Sequence, residues 1–173
     1  QEDEVARFND WPTYRHDASR SGTTGKPVNA KIGAEWDVKL GGRLTAPVVS
    51  DGLVYVALTD QHRIVAIDQK TGQVAWSHTI GGRIDSPPTV RHGRVVFGGA
   101  DGWVYCLTTQ GNLVWRYRAA PLDRRSMAFE QLESLWPVHG SVLVHEGVVY
   151  CVAGRSIFLD GGLRMLALDL ETG

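Results

Sequence analysis

Apolar residues alternate with polar ones in short runs, and a glycine-bearing turn closes most of them, the pattern of half-buried β-strands joined by hairpins. Thr45–Ser50, Leu53–Leu58, Ile64–Ile67 and Gln73–Thr79 read as four strands, A to D. Their connections are Ser50-Asp51-Gly52, a loop through Gln61-His62-Arg63, and Asp68-Gln69-Lys70-Thr71-Gly72. The order then repeats. Thr89-Val90 is A, Arg91-His92-Gly93 a turn, Val95-Val96-Phe97 B, Val104–Leu107 C and Leu113–Tyr117 D. A third copy has Ser141–Val144 as A, His145-Glu146-Gly147 as turn, Val148–Val152 as B and Met165–Leu168 as C. A lone D strand is predicted ahead of them, around Trp36.

The repeat is also visible in identity. Trp36, Trp76 and Trp115 recur at steps of 40 and 39 residues, and Leu40-Gly41-Gly42-Arg43-Leu44-Thr45-Ala46-Pro47 becomes Ile80-Gly81-Gly82-Arg83-Ile84-Asp85-Ser86-Pro87. Four short strands per period of this length predict an all-β fold, a β-propeller of four-stranded antiparallel blades. Residues 34–76, 77–115 and 116–173 form about three such blades, after an N-terminal extension over residues 1–33. Propellers close with about four to eight blades, so the sequence is expected to be the N-terminal part of a longer propeller or to complete its sheets with other chains. Open blade edges invite self-association. The recurring tryptophans are expected to pack between neighbouring blades rather than to stack on a ligand.

Composition narrows the partners. A net charge of −1, with the two signs interleaved, makes no field that gathers nucleic acid or anionic lipid. No apolar run approaches the roughly 18 residues of a membrane-spanning helix. The start, Gln1-Glu2-Asp3-Glu4, has the features of a signal peptide in neither charge nor apolarity, although one could have been removed ahead of it. Cys106 and Cys151 form no CxxC pair and are expected to be buried thiols, with a cross-blade disulfide as the alternative.

Antiparallel strands send successive loops to alternate faces of the disc. The A–B and C–D turns share one face and are minimal. The B–C and D–A loops share the other, and the unusual residues gather there: His62, Arg63, Arg83, Asp85, Asp101, Trp103, Arg124, Arg125, Glu130, Glu133, Trp136, His139, Arg155 and Asp160. The connection Arg118–Pro137 is several times longer than its counterpart Thr79–Ser86, a length that points to function or ordering. Arg124 and Arg125 could clamp a carboxylate or phosphate, or be salt-bridged by Asp123 and Glu130. Arg43 and Arg83 stand at equivalent positions near the expected axis, where they could meet an anion or pair with an acid such as Asp85. Trp103 and Trp136 could stack a saccharide. No nucleophile–base set, paired catalytic carboxylates or metal-ligand spacing can be defended, so no catalytic or metal residue is assigned.

Ala66, Asp68, Gly72 and Trp76 match the Ala-x-Asp-x-x-x-Gly-x-x-x-Trp pattern of pyrroloquinoline quinone (PQQ) propeller repeats, which the chain resembles; Ala167, Asp169 and Gly173 begin another copy. In the second repeat Thr108 or Thr109 replaces the Asp, while Gly111 and Trp115 remain. Asp10-Trp11-Pro12 is similar to the segment preceding the first blade of quinoprotein dehydrogenases, and the stretches Gly82–Pro88, Ala100–Tyr105, Glu133–Ser141 and Ala153–Gly162 are similar to exported PQQ-like repeat proteins of planctomycete-type bacteria.

The resemblance implies an eight-bladed complete propeller and a periplasmic, cell-surface or secreted location. It also implies blade docking through Trp36, Ala66, Asp68, Gly72, Trp76 and Trp115. Two functions follow from it. One is a noncatalytic scaffold that binds a protein partner or other blades through the B–C and D–A loops, as in the outer-membrane assembly lipoproteins that carry this repeat. The other is part of a PQQ-dependent dehydrogenase, with PQQ and calcium, whose remaining ligands lie outside this chain. The sequence lacks that enzyme class's adjacent cysteines and offers no assignable Glu-Asn-Asp calcium set. The scaffold is the better fit, and the ligand-binding candidates under either reading are Arg83, Asp85, Asp101, Trp103, Arg124, Arg125, Trp136, His139, Arg155 and Asp160.

Overall fold

A computed structural model describes residues 10–25, 27 and 29–173. The acidic start Gln1–Glu4 lies outside the described residues. The first blade is an antiparallel meander of β1 (Val48–Ser50), β2 (Leu53–Leu58), β3 (Arg63–Asp68) and β4 (Val74–Thr79). The second repeats it with β5 (Thr89–Arg91), β6 (Arg94–Gly98), β7 (Trp103–Thr108) and β8 (Leu113–Arg118). A two-stranded hairpin follows, β9 (Arg125–Ala128) and β10 (Gln131–Ser134). The third sheet has β11 (Leu143–His145), β12 (Val148–Ala153) and β13 (Arg164–Asp169). The all-β, partial-propeller expectation holds, with about three blades.

Alternation along each strand builds the core twice over, because a blade is buried on both faces. Val95 and Phe97 point toward the first blade and cluster with Tyr55, Ala57, Ile64 and Ala66, whereas Val96 points the other way and meets Val149, Cys151 and Ala153 of the third. A blade in the middle of the stack is therefore apolar at successive positions, and period-2 patterning fades where burial is two-sided. Cys106 and Cys151 are both buried free thiols. Burial pushes them up, Cys106 to about 12 and Cys151 to about 11.

Blades dock through the recurring tryptophans. Trp36 Nε1 donates to Gln69 O at 2.8 Å, Trp76 Nε1 to Thr109 O at 2.8 Å and Trp115 Nε1 to Leu170 O at 2.9 Å. Each ring lies against a glycine of the next C–D turn; a Cβ on Gly111, whose φ is +86°, would stand 2.6 Å from Trp76. The Asp68 carboxylate shapes its turn by accepting from the Lys70 and Thr71 amides and the Thr71 hydroxyl, and Asp169 does the same with Glu171 and Thr172. Of the two threonines that could replace this Asp in the second blade, Thr108 does so: its hydroxyl accepts from the Gln110 and Asn112 amides.

One expectation fails. The segment around Trp36 is not a strand. A D strand pairs with the C strand of its own blade, and no such strand precedes it among the described residues. Trp36, Val38 and Leu40 instead cover the outer apolar face of the first blade formed by Val56, Leu58, Val65 and Ile67. The extension ahead of them runs across the A strands of successive blades. Trp11 bridges to Val49, Pro12 O accepts from Val90 N at 2.7 Å, and Arg20 donates to Ser141 Oγ at 2.8 Å.

Candidate functional site

The A–B turns obey one rule. Asp51-Gly52, His92-Gly93 and Glu146-Gly147 each have two central residues at positive φ, the type I′ geometry that fits strand twist. The β9–β10 turn has the same geometry at Phe129 (φ 50°) and Glu130 (φ 61°), with no glycine to relieve it. A bulky residue held there is strained, and strain persists where surrounding contacts over-determine it.

Those contacts centre on Glu133, buried to 1% exposure on β10. Its Oε2 accepts from Arg83 NH2 at 2.7 Å and its Oε1 lies 2.7 Å from Arg155 NH2. Arg83, 2% exposed, also meets Asp85 through Nε at 3.3 Å, donates to Ala128 O at 3.3 Å and lies beneath the Phe129 ring, 4.7 Å from its centroid. Arg155 NH2 also donates to Ser126 Oγ at 2.9 Å and Ser134 O at 3.1 Å. On the first blade, His62 Nε2 lies 2.7 Å from Gln131 Oε1. The hairpin is thus tied to all three blades.

Asp85 is the second hub. His139 Nδ1 is 2.6 Å from its Oδ2, and Arg43 NH2 is 3.9 Å from its Oδ1. Burial pushes the Asp85 carboxyl up, but the His139 hydrogen bond and Arg83 outweigh it and hold the group below the ordinary carboxylate range. For Arg83, burial disfavours the charge, while Asp85 and Glu133 more than compensate and raise it. Arg43 and Arg83, equivalent in sequence, separate in environment: the hairpin covers Arg83, whereas the Arg43 side chain stays 58% exposed and pairs with Asp60 at 3.2 Å.

Of the ten ligand-binding candidates, Arg83, Asp85, His139 and Arg155 are brought into this network. Asp101 is buried elsewhere on the loop face, accepting from Tyr105 Oη at 2.5 Å and Gly81 N at 3.1 Å. Trp136 is buried in the core between the second and third blades and donates to Asp160 O at 2.9 Å. Arg116 lies over the Trp103 ring at 4.7 Å. Trp136 therefore offers no open face for a sugar, which corrects the stacking expectation. Arg125 pairs with Asp123 at 3.3 Å and Arg124 is exposed beside it, so neither joins the buried network. Phe129, Ser126 and the role of Glu133 as hub were missed; the length of the connection was their only signal.

Calcium fits poorly here. It takes about six to eight oxygen ligands, carboxylates among them, whereas the Asp85 carboxylate is held by Arg83 and His139, and that of Glu133 by two arginines. Among the described residues no group of three or more His, Cys, Asp or Glu could hold a metal ion.

A family model described as outer membrane protein assembly factor BamB matches residues 18–173. The chain belongs to this family. It is 29% identical over 145 residues to a Yersinia pestis BamB, covering 80% of this chain and 34% of that protein. Two solved structures share the fold. Quinohemoprotein alcohol dehydrogenase from Comamonas testosteroni superposes with a TM-score of 0.74 at 24% identity, covering 98% of this chain and 27% of that one. BamB from Moraxella catarrhalis gives 0.60 at 22% identity, covering 80% and 37%. The chain thus spans about a third of the curated BamB it matches, and its structural relatives include both an enzyme and an assembly factor.

Proposed function

We propose that this BamB-family chain is a noncatalytic scaffold module that holds a protein partner on its B–C and D–A loop face, in the periplasm. The observation that carries this reading is the β9–β10 hairpin. Buried ion pairs pin it down through Glu133 while Met127, Phe129 and Leu132 stay 69%, 76% and 52% exposed. The B–C loop of the third blade adds Ile157, Phe158 and Leu159, at 65%, 88% and 58%. Apolar side chains displayed on a rigid frame lose little entropy on docking and supply the anchors around which interfaces form. The relatives' description as assembly factors supports a protein as the partner.

Replacing Phe129 and Phe158 by Ser tests the reading. The doubly substituted chain keeps its thermal stability and loses retention of the partner recovered with the unmodified protein. Undiminished retention would move the interface elsewhere. The PQQ-dependent dehydrogenase, with its remaining cofactor ligands outside this chain, remains the competing reading.

A further inference from the structure

The β9–β10 hairpin leaves one edge unused. Its two-residue turn makes Ala128 and Gln131 a hydrogen-bonded pair, and the alternation of an antiparallel ladder makes Ser126 with Glu133 the next. Leu135 N donating to Arg124 O at 2.9 Å continues that phase. The main-chain groups of Arg125 and Met127 therefore point away from β10, and those of Leu132 and Ser134 point away from β9. The outer edge of β10 is taken up by the second blade, where Ser134 N donates to Ala100 O at 2.8 Å. Among the described residues nothing bonds the outward N–H and C=O groups of Arg125 and Met127.

Proteins that guard a free edge charge it, bulge it or place Pro on it. β9 has a regular register and no Pro, and its one charged residue, Arg125, is paired with Asp123. Beside the edge stand Met127 and Leu132, exposed and directly opposite each other. A groove of about 560 Å³ separates the hairpin from the third blade, with Ala128 and Phe129 on one wall and Val152, Gly154 and Leu163 on the other. Unpaired main-chain donors and acceptors next to an apolar groove match an extended peptide, which offers the same groups in return and points alternate side chains one way. We propose that β9 is a docking edge, to which an extended segment of the protein partner adds as a third strand. Its main chain bonds Arg125 and Met127, and every second side chain is apolar and enters the groove. This rests on the scaffold reading and names the conformation in which the partner is held. Because Glu133 already pins the hairpin, the edge loses little freedom when the segment pairs with it.

The test adds the peptide Ac-Lys-Val-Thr-Val-Thr-Val-Lys-NH₂ to the full chain and follows amide hydrogen exchange by ¹H–¹⁵N spectroscopy. The control is the same peptide N-methylated at every Val and Thr, which keeps its side chains and removes its ladder donors. Saturable protection of the Arg125 and Met127 amides by the first peptide, absent with the second, supports the docking edge. Met127→Pro removes an outward donor that the hairpin does not use, and should weaken binding about tenfold, one main-chain hydrogen bond being worth roughly that factor. Equal binding of both peptides, no protection, or protection confined to another strand overturns the proposal. So does protection that grows with protein concentration alone and is not increased by peptide, which would assign the edge to a second copy. An unprotected β9 in a chain that still loses its partner on replacement of Phe129 and Phe158 would remove the added strand and leave the scaffold standing.

Discussion

Arg83 and Glu133, 50 residues apart in sequence, form an ion pair at 2.7 Å with both side chains almost fully excluded from solvent. A buried pair costs desolvation on both sides, and removing one partner leaves the other charged and unpaired. Glu133→Ala should therefore cost about 3–5 kcal/mol in urea unfolding, whereas Arg83→Met with Glu133→Leu should cost far less. Equal losses would mean that shape rather than charge holds the hairpin.

The strained hairpin tip makes a prediction of opposite sign. Glu130 sits at φ 61° where the other A–B-type turns carry glycine. Glu130→Gly should stabilise by about 1 kcal/mol, seen as a higher melting temperature. A loss would show that the Glu130 side chain contributes more than its backbone costs.

Gly111 and Gly52 separate two effects that a positive φ alone confounds. Both lie near φ +80°, but a Cβ at Gly52 meets open space while one at Gly111 meets Trp76. Gly52→Ala should cost about 1–2 kcal/mol of backbone strain. Gly111→Ala should cost distinctly more and expose Trp76, read as a red shift in fluorescence.

The acid limb of stability follows from Asp85. Its folded-state pKa is depressed, so its contribution is present above the ordinary carboxylate value near pH 3.9 and is lost as pH falls through the folded value. Asp85→Asn should be less stable at pH 7 and lose less than the unmodified protein between about pH 5 and 3. Parallel curves would mean that the carboxylate titrates normally.

Most of the fold was legible because most turns announce themselves. Asp51-Gly52, His92-Gly93 and Glu146-Gly147 mark their hairpins in the text. The β9–β10 hairpin escaped notice because Phe129-Glu130 carries no turn signal, its conformation being imposed by Arg83 beneath the ring and Glu133 behind it. The strand predicted at Trp36 failed for the converse reason: its repeat pattern is intact, but among the described residues no C strand precedes it to pair with. The loop face was readable from strand parity, whereas the Arg83–Glu133–Arg155 and Asp85–His139 pairings depend on contacts between loops far apart in sequence.

The most direct measurement is a photo-cross-linking map with a reactive residue placed in turn at Met127, Phe129 and Phe158 on the loop face and at Gln110 and Glu146 on the turn face. The account predicts adducts to one common protein from the first three positions and none from the last two. Adducts confined to the turn face would contradict it.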